Sequence, residues 1–190
     1  MTKYYPTQIT ERFDKALLLC CQLHRHQIRK DGRTPYVAHL LAVAALVLED
    51  GGSEDEAIAA LLHDSVEDQG GLEILEKIKR DFGENVAKIV AGCTESETFP
   101  KPPWKERKSR YLQQIRTGLK AVQRVSLADK LHNARCLLLQ LQQEGKAVWQ
   151  QFRGGKSSTL KFYKSLLSSY RIEGNMKQEF EKVIHQLEKF

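Results

Sequence analysis

Apolar residues recur at helical spacing along most of the chain. Between residues 9 and 29, Phe13, Leu17, Leu18, Cys21 and Ile28 follow a period near that of an α-helix and predict one long amphipathic element. Asp31-Gly32-Arg33 reads as a turn, and Thr34-Pro35 as an N-cap followed by Pro at the first helical position. A second helix is predicted over 36–49, with His39 near its start and Gly51-Gly52 after its end. Ser53, with Glu56 three residues on, forms a capping box that opens a third helix, which runs through His63 and Asp64 to Gly70-Gly71. Two short helices follow over 72–82 and 84–91, separated by Gly83, and Pro100, Pro102 and Pro103 make 94–103 a loop. Beyond it come helices over 104–116 and 122–144, with Gly118 between them and Gly145 at the end. After Arg153-Gly154-Gly155, two terminal helices cover 160–172 and 176–187. No alternating strand pattern of useful length and no internal repeat occurs, so the expected fold class is all-α.

Composition narrows the class. At 190 residues the chain suits one domain with a substantial core, and an apolar share of 41% is ordinary for a globular protein. The longest apolar run, residues 40–48, is too short to span a bilayer, and Met1 to Pro6 lacks the apolar stretch of a secretory signal. No membrane association is expected. Cys20 and Cys21 are adjacent while Cys93 and Cys136 stand alone, which excludes a C-x-x-C knuckle and suits a reduced cytoplasm. The net charge of +6 is concentrated in residues 101–124, where eight Lys or Arg face a single acid, Glu106. That excess could attract a phosphate-rich ligand, with a plain solvated face as the alternative. Aromatics are sparse there and no nucleic-acid motif is present, so no nucleic-acid partner is expected.

The chemistry gathers at Ala60-Leu61-Leu62-His63-Asp64-Ser65-Val66-Glu67-Asp68. On an uninterrupted helix His63 and Glu67 share a face, as do Asp64 and Asp68, while Ile58, Leu62 and Val66 face a core. Three carboxylates this close repel one another unless a positive charge sits among them. Imidazole with carboxylate is a common ligand set for a divalent metal. A solvated acidic helix end with an incidental His is the bland alternative. Two other features carry little. Gly155-Lys156-Ser157 resembles the end of a phosphate-binding loop, but Gln150 stands where that loop needs Gly. His24 and His26 are two apart, so their rings diverge on a helix and do not make a metal pair.

Four stretches carry a family resemblance. They are Arg29-Lys30-Asp31 with Thr34-Pro35-Tyr36-Val37-Ala38-His39; the stretch from Ala60 to Asp68; Asp81-Phe82-Gly83-Glu84-Asn85-Val86; and Leu127-Ala128-Asp129-Lys130-Leu131-His132-Asn133. An H, then an adjacent H-D, then a later D resembles the HD-domain metal-dependent phosphohydrolases. H-D-x-V-E-D with L-A-D-K-L-x-N resembles more closely the hydrolase domain of RelA/SpoT enzymes and the single-domain small alarmone hydrolases. The resemblance covers residues 10–145 and implies one HD-domain helical bundle over 1–190 with a helical C-terminal extension.

The resemblance implies a mechanism as well. His39, His63, Asp64 and Asp129 would hold one divalent ion, usually Mn²⁺. Glu67 and Asp68 would orient or deprotonate the attacking water, Arg29 and Lys30 would approach the nucleotide, and Asn133 would contact its ribose side. Arg107 or Lys108 are further candidates for phosphate. The implied reaction removes the 3′-pyrophosphate of guanosine tetra- or pentaphosphate (ppGpp, pppGpp), leaving GDP or GTP and pyrophosphate. Cys136 departs from the Thr often found in bifunctional enzymes, and Thr94-Glu95 from the more usual Thr-Asp. An HD phosphatase acting on another nucleotide, such as an adenosine analogue of the alarmone or NADPH, is the alternative enzyme. A non-catalytic nucleotide sensor is the third reading, and Glu67-Asp68 argues against it, because a pure binder needs no water-activating acids.

Overall fold

The structure, a computed structural model, describes residues 7–96, 100 and 102–190. Residues 1–6, and 97–99 and 101 of the expected 94–103 loop, lie outside the described residues. All regular elements among the described residues are helical: α1 (Glu11–Leu23), α2 (Tyr36–Glu49), α3 (Glu54–Leu62), α4 (Ser65–Gln69), α5 (Gly71–Phe82), α6 (Glu84–Cys93), α7 (Trp104–Thr117), α8 (Lys120–Glu144), a 3₁₀ helix (Gly145–Gln151), α9 (Gly155–Ser169) and α10 (Asn175–Glu188).

α3 is the centre. The Ser53–Glu56 capping box forms as expected, with Glu56 Oε2 accepting from Ser53 N at 2.7 Å and Ser53 Oγ accepting from Glu56 N at 3.3 Å. Every side chain from Ala57 to Leu62 is wholly buried, because α1, α2, α6 and α8 pack around it. Arg124 of α8 ties this region together. Its Nε donates to Asp50 at the end of α2 at 3.0 Å, and its Nη1 donates to Glu56. The 25 residues of α8 extend about 37 Å and form the spine, touching α2, α3, α6 and α10.

α6 approaches α8 closely at Gly92, where an added Cβ would stand 2.5 Å from Val122 Cγ2. The valine is short and buried, so the backbone would have to move. Gly92→Ala is expected to lower the unfolding free energy by about 1–3 kcal/mol, as overpacking does. Chemical denaturation checks this, and unchanged stability would show that the two helices separate freely.

The structure corrects several boundaries. The first helix stops at Leu23 rather than continuing to residue 29. Residues 24–35 instead fold back, with Arg29 N donating to Thr34 O at 2.8 Å and Tyr36 N to Gln27 O at 2.9 Å. The hairpin tip is held by Asp31, whose carboxylate accepts from Arg33 N, Thr34 N and Thr34 Oγ1, while Gly32 turns with φ +73°. Those bonds draw the Asp31 carboxyl down to about 2. Thr34 spends its hydroxyl on this turn, so Pro35, not Thr34, is the N-cap of α2. The third helix is not continuous either: it breaks at His63-Asp64. The last turn of α6 reaches Cys93, and the 3₁₀ helix after α8 has no pattern of its own that marks it. The ninth α-helix starts at Gly155 and ends at Ser169, earlier than 160–172, because Gly155 (φ +61°) makes the turn and Arg171 N is diverted to Gln123 Oε1. Lys156 of the loop-like Gly155-Lys156-Ser157 donates to Glu188 O at 2.8 Å, and the described residues place no strand before it.

α9 and α10 close the bundle on α7 and α8. Phe180 and Leu187 are wholly buried, and a hydroxyl chain runs from Tyr111 through Ser126 (2.7 Å) to Tyr170 (2.9 Å). Among the described residues no helix is long and apolar enough to cross a membrane.

Candidate active site

The break at His63 has a local cause. His63 Nδ1 lies 2.8 Å from Ala60 O, and a carbonyl only accepts, so Nδ1 carries the proton. That carbonyl is the one an unbroken helix would offer to the Asp64 N–H. The side chain therefore ends α3 at Leu62 and fixes its own tautomer, leaving the Nε2 lone pair free to bind. Asp68 N still reaches Asp64 O at 3.0 Å, so α4 resumes at once and Glu67-Asp68 stay one turn beyond the His-Asp pair.

Four elements bring the expected ligands together. His39 comes from α2, His63 and Asp64 from the α3–α4 junction, and Asp129 from α8. Ligand atoms of His39, His63 and Asp129 all lie within 4.8 Å of one another. Asp64 Oδ2 stands 3.2 Å from His63 Nε2 and 3.7 Å from His39 Nε2. Both Nε2 atoms are buried without a hydrogen-bond partner, although Asp129 Oδ1 is 3.3 Å from that of His39. Two orphaned imidazole nitrogens aimed at two carboxylates fit a divalent metal.

Electrostatics agree with that fit. Burial alone would push the His63 imidazole down, but Asp64 and Asp129 outweigh it and hold it well above its ordinary value. Burial lowers His39. Burial would raise both carboxylates, yet Asp64 is held low mainly by His63, and Asp129 mainly by Lys130 with the two histidines.

The surrounding shell is polar and ordered. Tyr36 OH donates to Asp64 Oδ2 at 2.7 Å. Lys130 Nζ donates to Asp129 Oδ2 at 2.7 Å, and Asn133 Nδ2 to Asp129 Oδ1 at 2.5 Å. Asn133 Oδ1 in turn accepts from Arg29 Nη2 at 2.7 Å, so two of the expected nucleotide contacts meet beside Asp129. Arg29 also lies over the Tyr36 ring, and Lys30 over that of Phe152. Asp68 Oδ2 accepts from Gln27 Nε2 at 2.9 Å, and Glu67 Oε2 accepts from Glu95 N at 3.2 Å.

The basic stretch is only partly a surface. Glu95 is drawn down below the ordinary carboxyl range against its own burial by Lys130, Lys108 and Arg107. Lys108 Nζ donates to Glu95 at 2.5 Å and Arg107 Nη1 at 3.1 Å, while Lys108 also sits 4.4 Å from the Phe162 ring centroid. Arg107 reaches within 3.9 Å of Glu67. Helix α9 therefore backs the cations that border the site.

Sequence reasoning missed several participants. His24 is 2% exposed, stacks on Tyr36, and places its two ring nitrogens 2.7 Å from Gln27 Oε1 and 3.2 Å from Ser65 Oγ. It braces the site without joining the His39, His63 and Asp129 cluster. His132 Nδ1 lies 2.8 Å from His39 Nδ1, and burial with the neighbouring His39 and Arg29 pushes His132 down to about 4. Its position three residues after Asp129 was the one available signal.

A convergence of His from α2, His-Asp from the α3–α4 junction and Asp from α8, in a bundle whose described regular elements are all helical, defines an HD-domain protein. Residues 16–157 match a family model described as an HD domain. The chain belongs to the HD-domain family, in the branch that holds the RelA/SpoT and small alarmone hydrolases. Among curated relatives, the guanosine-3′,5′-bis(diphosphate) 3′-pyrophosphohydrolase MESH1 of Xenopus tropicalis is 39% identical over 132 residues, covering 65% of this chain and 71% of that protein. MESH1 of Homo sapiens is 38% identical over 117 residues, covering 60% of this chain and 63% of the relative, slightly under two thirds of its length. The solved structure of a metazoan ortholog of SpoT, described as hydrolyzing ppGpp and playing a role in starvation responses, is similar with a TM-score of 0.79 at 26% identity. It covers 95% of this chain and 97% of that one. This likeness extends past the residues that carry the motifs.

Proposed function

We propose that the chain hydrolyses the 3′-pyrophosphate of ppGpp and pppGpp in a metal-dependent reaction. The observation that carries this reading is the pair of buried, partnerless Nε2 atoms of His39 and His63 facing Asp64 and Asp129, beside Glu67-Asp68 and the Arg29–Asn133 contact. His39, His63, Asp64 and Asp129 hold the ion, which is Mn²⁺ on this reading. When bound, it lowers the pKa of a coordinated water and neutralises phosphate charge.

The chain's own groups do the rest. Glu67 and Asp68, just past the ligand pair, are the acids available to accept the water proton. Water adds to the phosphorus on the 3′ oxygen, the P–O3′ bond breaks, and the proton ends on the 3′ hydroxyl. Arg29, Lys30 and Asn133 contact the nucleotide. Arg107 and Lys108, now occupied by Glu95, are cations at the rim for the remaining phosphates. The partner is thus a small nucleotide rather than a nucleic acid. The whole chain acts as one hydrolase domain, with α9 and α10 as a helical extension packed on α7 and α8 respectively. Four free cysteines support a reduced, cytoplasmic setting. Chromatographic separation of the products formed from ppGpp tests the proposal.

A further inference from the structure

We infer that His132 is a positioning residue for the metal centre, acting as the hydrogen-bond acceptor that fixes the tautomer of His39. The inference rests on the reading of His39 as a ligand through Nε2. A neutral imidazole can offer the Nε2 lone pair only when its proton is on Nδ1. For His63 the acceptor of that proton is fixed, because it is the Ala60 carbonyl. For His39 the group at hydrogen-bond distance from Nδ1 is another imidazole nitrogen, His132 Nδ1 at 2.8 Å, with ring centroids 4.9 Å apart. Of two ring nitrogens at that distance, one carries the proton. If His132 donated, His39 would carry its proton on Nε2 and point an N–H into the centre.

The metal-competent arrangement therefore requires His132 to accept through Nδ1 and to keep its own proton on Nε2. The surroundings permit this. Cys136, one turn along α8, places Sγ 3.8 Å from both ring nitrogens of His132, and sulfur receives an N–H weakly without competing for Nδ1 as a strong donor would. Asp129 lies three residues earlier on the same helix, so one face of α8 supplies both a ligand and the acceptor that orients another ligand. Outer partners of metal-binding histidines usually are carboxylates, backbone carbonyls or water; here a side chain that can take either role has the position.

The test is titration of the purified protein with Mn²⁺ alone, reading the free ion by electron paramagnetic resonance. Wild type is compared with His132→Phe, which keeps a ring but has no acceptor, and His132→Asn, whose Oδ1 takes the place of Nδ1. Loss of the acceptor is expected to weaken Mn²⁺ binding about 10–100-fold in the Phe variant, while the Asn variant stays near wild type. Melting of the metal-free proteins, followed by circular dichroism, separates this from a folding defect. Equal affinity in the Phe variant, or equal weakening in both variants, overturns the inference and leaves the metal site standing. Absence of Mn²⁺ binding by the wild type overturns both.

Discussion

Replacing His63 or Asp64 with Ala is expected to abolish stoichiometric metal and, with it, turnover. Each residue meets the others at the centre of the cluster, with Asp64 Oδ2 3.2 Å from His63 Nε2. Loss of the several kcal/mol of transition-state charge stabilisation that a metal supplies corresponds to a fall of about 10³-fold or more in kcat/KM. The folded state should survive both changes. His63 lies at the end of α3 rather than inside it, and removing its side chain frees the Ala60 carbonyl for the helix. The helical circular-dichroism signal is therefore expected to persist while metal content falls below 1:1. Wild-type metal content in both variants would contradict the ligand assignment.

Glu67→Gln and Asp68→Asn are expected to act differently. Both side chains stand one turn past the ligands, and each already has a hydrogen-bond donor, Glu95 N and Gln27 Nε2 respectively. Their amides keep the size and lose the base. Turnover should fall by about 10²–10⁴-fold in the variant that removes the proton acceptor, with metal content unchanged. A group that acts on the water rather than on bound nucleotide shows its loss in kcat more than in KM. If both variants keep wild-type kcat, neither carboxylate is the base.

Much of this site could be read in the chain itself. Helix ends near the candidate ligands are written locally, by the Ser53–Glu56 box and by Gly51-Gly52, and the H, H-D and D pattern stands in the sequence itself. The fold class followed from helical spacing for the same reason. What sequence could not supply lies across long separations or inside single hydrogen bonds. The Arg29–Asn133 contact joins residues 104 apart, and the His39–His132 contact joins residues 93 apart. The break at His63 depends on where one ring nitrogen points, which periodicity does not encode. Nor does charge composition: residues 101–124 look like a uniform basic face, yet Arg107, Lys108 and Arg124 turn inward to Glu95, Asp50 and Glu56. The turn at Asp31-Gly32-Arg33 was legible, but the fold-back of residues 24–29 was not, because Ile28 continues the apolar spacing of α1.

The proposal as a whole turns on which bond is cut. Purified protein loaded with Mn²⁺ and incubated with ppGpp, its products separated by ion exchange, should yield GDP and pyrophosphate in equal amounts with the 5′-diphosphate intact. Stepwise release of inorganic phosphate, or no turnover of ppGpp beside brisk turnover of another nucleotide, would contradict it.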